Sequence, residues 1–251
     1  MKAHTSRDLE AALEDCRLCQ VPSRLLHSHV IPRLMFRPMG RLAPGTPIRV
    51  DSSEGKSRPG HLKEYMLCSK CEEKFSDYEH VAARFLVDLN QVQTRAHERT
   101  IQRSSLDYHN LKLFFLSVLW RCAVSRDPIT QMVDLGPRLS KLTALLQARD
   151  PGKQQEFAVL LRLLDESPMA RNAVLTVPVP MRDASRRGYT MVGNGVEISW
   201  VTDQRGVAVK SAPWMLKEDG TWLVEVISGS RSFPWRQAVA KSHEQDRRTL
   251  S

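Results

Sequence analysis

The sequence predicts an α+β protein: a cysteine-bracketed ββα module at the N-terminus, helices in the middle, and a small antiparallel β-sheet towards the C-terminus. Three observations lead there. Two Cys-x-x-Cys pairs, Cys16/Cys19 and Cys68/Cys71, bracket a stretch with strand-like runs at either end. From Glu72 to about residue 165 apolar side chains recur at helical spacing. From Ala173 the pattern turns into short β-type runs separated by glycine-containing turns. The corresponding divisions are 1–105, 106–168, 169–230 and a basic tail, 231–251.

Taken in order, residues 5–15 predict a short amphipathic helix with Ser6 as N-cap and Leu9, Ala12 and Leu13 on one face. Arg24–Ile31 predicts a strand ended by Pro32, with His27 and His29 on one face and Ser28 and Val30 on the other. Residues 37–60, rich in proline and glycine, predict a long basic loop with a short strand at Ile48–Val50. Leu62–Leu67 is the returning strand. A helix is expected from Glu72 to about Arg99, with Val81, Phe85, Leu86, Leu89 and Val92 as its apolar stripe. Tyr108–Ser125 is apolar almost all round and predicts a central buried helix carrying Cys122 as a small hydrophobe. Shorter helices are expected at 129–148 and 151–165. Strands are expected at Ala173–Val179, Val196–Thr202, Val207–Lys210 and Trp222–Ile227, with turns at 193–195, 204–206 and 218–220. The tail, with five basic and two acidic residues, is read as helical or disordered.

Composition narrows the function. The 251 residues are 41% hydrophobic, enough for a real core. The N-terminus lacks the apolar core of a secretion signal, and the longest apolar stretch, Leu111–Val124, is broken by Lys112, Ser117 and Arg121. The expectation is a cytoplasmic protein with no membrane association. A net charge of +9 favours a polyanionic partner, nucleic acid first; DNA is expected ahead of RNA. Between Arg17 and Lys63 nine basic residues face two acidic ones, so the excess is concentrated in the cysteine-bracketed stretch.

Four of the five cysteines sit in the two Cys-x-x-Cys pairs, the spacing at which four thiolates surround one Zn²⁺ ion tetrahedrally. Cys16, Cys19, Cys68 and Cys71 are therefore the expected ligands of a structural zinc. A thiol-disulfide enzyme fits less well, because neither pair sits in a thioredoxin-like βαβ setting.

The order Cys-x-x-Cys, Ser28-His29-Val30-Ile31-Pro32, basic loop, strand, Cys68-Ser69-Lys70-Cys71-Glu72 resembles the HNH, or ββα-metal, endonuclease superfamily over about residues 14–80. The wider pattern looks like a group of bacterial HNH-like proteins. The resemblance implies a treble-clef-like zinc module and hydrolysis of phosphodiester bonds, with His29 as general base. It puts Glu72 and Ser28 at positions that ligate a catalytic Mg²⁺ or Mn²⁺, and Arg24, Arg33, Arg37, Arg41, Arg49 and Arg58 against phosphates. Ser28 stands where the pattern has Asp or His, Lys63 and Glu64 where it has its middle Asn, and Glu72 at its last position. These departures leave open a rewired site using His27, Glu73, Asp77 or His80, and a non-catalytic zinc module that binds nucleic acid or protein. The resemblance also makes the C-terminal half a partner-binding or sensing half of a defence or toxin protein, a reading that no residue from 100 to 251 carries by itself.

Overall fold

The computed structural model describes residues 13–36, 49–51, 58–59, 62–92, 99–172, 174–182, 187–202 and 213–240. The expected helix at 5–15 lies mostly outside them, and its last residues form a strand instead. β1 (Glu14–Asp15) pairs antiparallel with β2 (Pro22–Ser23), folding the chain back around the first cysteine pair. β3 (Leu26–His29) then runs antiparallel to the returning strand. Residues of the intervening loop pair as β4 (Arg49–Asp51) and β5 (Arg58–Pro59). The returning strand, β6 (Lys63–Leu67), feeds α1 (Ser69–Gln91) with no intervening loop.

α1 buries Phe75, Tyr78, Ala82, Phe85, Leu86 and Leu89, spaced three and four apart as one helical face requires. It ends earlier than expected, at Gln91; residues 93–98 lie outside the described ones. β7 (Thr100–Arg103) precedes α2 (Tyr108–Val124), whose first turn is capped by the Asp107 carboxylate accepting from the Asn110 amide at 3.0 Å. Every residue of α2 from Leu111 to Cys122 is buried. That includes Lys112, whose ammonium donates to the Tyr108 hydroxyl at 3.0 Å and to the Lys153 carbonyl. It also includes Arg121, paired with Glu79 at 2.8 Å and lying over the Phe75 ring. α3 (Arg138–Ala148) packs across α2, and the buried Trp120 indole donates to Thr143.

Two expectations need correcting. Residues 151–165 are not a helix: Ala158–Leu164 is a strand, β8. Nor is the sheet small and antiparallel. It has six strands, in the order β10 (Val179–Arg182), β11 (Arg187–Gly193), β12 (Val196–Val201), β8, β13 (Trp222–Ile227), β7. β13 runs parallel to β8, while the other neighbours are antiparallel. β8 reads as an apolar run interrupted once, at Arg162, because both its faces are covered, and such a run carries no period that separates strand from buried helix. β11 was unpredicted, its apolar run being flanked by Gly188 and Gly193. At Gly188 a Cβ would meet the Trp200 carbonyl oxygen at 1.8 Å, so glycine there allows the strands to meet.

One face of the sheet packs on α2. Trp200 donates its indole N–H to the Phe115 carbonyl at 3.0 Å, and Trp222 stacks on Phe85 and meets Phe115 edge-on. The other face is covered by Met215 and Trp214, by the short helix α4 (Pro168–Asn172) and by a helix at 233–240. The expected hairpin turn at 193–195 joins β11 and β12. Asn194 and Gly195 both adopt positive φ, 50° and 73°, as its two central residues. β9 (Leu175–Thr176) runs parallel to β4, and the region 203–212, with the expected strand Val207–Lys210, lies outside the described residues. A single buried cluster extends from Cys16 to Val226, so the cysteine-rich stretch shares its core with α2 and the sheet.

Candidate metal centre and the adjoining hairpin

The first cysteine pair is held by a tight turn. The Gln20 amide bonds the Cys16 carbonyl at 2.8 Å, with Gln20 itself in the left-handed region at φ 59°. The Arg17 amide bonds the Met66 carbonyl at 2.9 Å, tying this turn to β6. The second pair forms the start of α1: Cys68 is its N-cap residue and Cys71 lies in its first turn. The Cys68 amide donates to the Cys16 sulfur at 3.3 Å. One ligand atom from each cysteine lies within 4.8 Å of the others, and this is the one such group of three or more His, Cys, Asp or Glu side chains among the described residues.

Electrostatics favour a cation there. Burial raises the cost of ionising Cys16, yet hydrogen bonds from the Cys19, Cys68 and Leu18 amides outweigh it and lower its pKa. Cys71 moves strongly the other way, pushed up by burial and by the neighbouring Cys68 and Cys16 sulfurs, and Cys19 is also raised, chiefly by burial. Four sulfurs this close cannot all ionise against one another. A divalent ion relieves that repulsion, and the helix N-terminus adds partial positive charge. None of the four is in a disulfide. The donor set could hold a metal ion such as zinc.

The residues around this cluster sort onto two faces of the β3–β6 hairpin. In register, His27 faces Tyr65, Ser28 faces Glu64 and His29 faces Lys63, with a bulge between Leu26 and His27. Ser28 points inward, 1% exposed, and its hydroxyl donates to Glu72 Oε2 at 2.7 Å, joining two positions 44 residues apart. Glu64 is also turned away from the outer face. It accepts from Arg17 at 2.7 Å, from the Ser125 hydroxyl, and from the Arg126 and Asp127 amides at 3.1 Å. These donors, Ser125 first and Arg17 second, lower its pKa despite burial. Glu64 therefore clamps the end of α2 to the cysteine module. Sequence alone gave no sign of this, because its partners lie more than 40 residues away in both directions.

On the outer face His27 is exposed and stacks on Tyr65, with ring centroids 5.0 Å apart. His29 is half-buried, its ring 6.0 Å from that of Phe36. Arg24 and Arg33 are exposed. Arg49 and Arg58 lie in β4 and β5, and Arg37 and Arg41 fall outside the described residues. On α1, Asp77 pairs with Arg149 at 2.8 Å, while Glu73 and His80 are exposed. Glu73, Asp77 and His80 thus join no cluster with His29 among the described residues. No described helix is long and apolar enough to cross a membrane. Comparisons with protein-family models, curated proteins and solved structures found no match to this chain.

Proposed function

We propose that the chain is a metal-dependent HNH-like nuclease that hydrolyses phosphodiester bonds of nucleic acid, built on a treble-clef-like ββα module with a structural zinc. The observation that carries this reading is the 2.7 Å hydrogen bond from Ser28 to Glu72, beside the cysteine cluster. It joins the two positions that the resemblance gives to catalytic metal ligands, with His29 the next residue along the strand.

In this reading His29 accepts the proton of the attacking water, a task suited to an imidazole at neutral pH. Glu72, partly exposed at the first turn of α1, presents a carboxylate to a hard cation; one carboxylate with substrate phosphate oxygens is a usual Mg²⁺ environment. Mg²⁺ or Mn²⁺, when bound, stabilises charge on the leaving oxygen. Ser28 orients the Glu72 carboxylate, and Arg24 and Arg33 contact the backbone. Free cysteines grouped at metal spacing suit a reducing, cytoplasmic compartment.

The test is incubation with plasmid, single-stranded DNA and RNA in Mg²⁺ or Mn²⁺. His29→Ala and Glu72→Ala should each lower the rate about 100-fold or more. Equal behaviour of wild type and His29→Ala on every substrate overturns the proposal. A specific observation favours a second reading, a non-catalytic zinc module that binds nucleic acid. The hydroxyl of Ser28 is spent on Glu72, and Glu72 belongs to no group of three or more His, Cys, Asp or Glu side chains at metal-binding spacing among the described residues. That reading predicts salt-dependent binding without turnover.

A further inference from the structure

Beside His29, the outer face of the hairpin carries side chains to which the proposed chemistry gives no role: His27, Tyr65 and Lys63. Strand alternation and register bring His27, His29, Lys63 and Tyr65 to that one face, His27 opposite Tyr65 and His29 opposite Lys63. Tyr65 is 59% exposed and Leu26 42%. The bulge after Leu26 breaks the alternation, so that Leu26 and His27 are both exposed. The one carboxylate of the two strands, Glu64, is turned away into its clamp with Arg17. On the two strands this leaves an aromatic pair with Lys63 on the next register position, and Arg24, two residues before β3, is exposed.

We propose that this face is a stacking platform for single-stranded nucleic acid, with an unpaired base lying on the Tyr65–His27 pair. An aromatic ring beside cations and without acids is the composition that binds bases and phosphates together. The two rings already stack, 5.0 Å apart at 28°, so little freedom is lost when a base adds to the pair. In a duplex each base face is covered by its neighbours, so only an unstacked strand can use the ring. The register then places function next to binding. His29 and Lys63 lie one pair further along the same face, about 7 Å from the platform at the usual rise of a strand. A nucleotide stacked on Tyr65 has its phosphate beside Lys63 and the proposed base. This deepens the nucleic-acid reading of the site and supplies its substrate class.

The experiment is fluorescence anisotropy with a labelled oligothymidylate of about a dozen nucleotides, and with a duplex of the same length, in buffer without added divalent ion. Tyr65→Ala should weaken single-strand binding about 5- to 150-fold, and Tyr65→Phe should bind within about twofold of wild type. Duplex affinity should stay within about twofold in both variants. Zinc content and circular dichroism identical to wild type establish that each variant is folded. Single-strand affinity unchanged in Tyr65→Ala overturns the proposal, as does an equal loss for both nucleic acids. So does a change in self-association with oligonucleotide affinity intact. Because binding is read without turnover, the two proposals fail separately. Cleavage that survives alongside a silent Tyr65→Ala refutes the platform alone. Selective single-strand loss in a protein that never cleaves refutes the nuclease alone.

Discussion

Replacing Lys112 by methionine gives a prediction whose size follows from the structure. The Lys112 side chain is 1% exposed, and its ammonium is held by the Tyr108 hydroxyl and the Lys153 carbonyl. Burial lowers its pKa from 10.5 to about 8, against the pull of Glu156, Glu218 and Asp150 towards the charged form. Between about pH 8 and 10.5 the unfolded chain therefore carries a proton that the folded chain has released. Stability must rise with pH across that window, because the unfolded state binds more protons there. At about 1.4 kcal/mol per unit, the contribution is about 3 kcal/mol. Tyr108 and Cys122, whose pKa values burial raises, act in the opposite direction over part of the same range. The informative quantity is thus the difference between wild type and Lys112→Met in urea unfolding at pH 7, 8, 9 and 10. Wild type should gain on the variant by about 2–3 kcal/mol from pH 8 to 10, and the two should run parallel below pH 7.5. A difference that stays flat, or that falls with pH, refutes the reasoning.

Three further outcomes follow from the site and its supports. Cys68→Ser, or chelation at neutral pH, should abolish binding of one zinc per chain and lower Tm by about 10 °C or more, read by elemental analysis and calorimetry. Glu64→Ala removes the carboxylate from Arg17, Ser125 and the Arg126 and Asp127 amides; Arg17 keeps the Val124 carbonyl and the Asp127 amide keeps the Ser125 hydroxyl, while the Arg126 amide loses its acceptor. The substitution should cost about 2–3 kcal/mol in denaturant unfolding and increase amide exchange at the end of α2. Gly195→Ala sets a Cβ 2.6 Å from the Asn90 side-chain oxygen at φ 73°, so Tm should fall by about 4–8 °C, whereas Gly136→Ala, with open space around it, should lose less.

Elements whose cause is local were readable from the chain. The two cysteine pairs, the β3 and β6 strands, the inward turn of Ser28 and the buried α2 all follow from spacing or periodicity within a few residues. The Asn194-Gly195 turn was readable for the same reason. Elements defined by distant partners were not. β8 needed knowledge that both its faces would be covered, and β7 has no signal apart from its pairing with β13. Among candidate site residues, His29 and Glu72 are proposed through a pattern, but Glu64 could not be given its role as a clamp. Nothing adjacent in sequence announces that Arg17 and Ser125 will converge on it. Tyr65 was missed too, because exposure depends on the bulge and on what the opposite strand presents.

The position of β13 bears on how the chain reaches its final state. β13 lies between β8 and β7, and β7 has no other neighbour in the sheet. Residues 100–103 therefore leave the ribosome long before 222–227, their partner in the sheet, is made. Until then Phe85 and Phe115 lack the Trp222 ring against which both pack. The cysteine cluster, by contrast, has all its ligands once residue 71 has emerged. Synthesis would thus build a metal-pinned amino end first, while the sheet waits on late, long-range closure with apolar surface exposed. Loss of the chain beyond Trp222 should accordingly yield aggregation and not a smaller folded protein, even though every cysteine is retained.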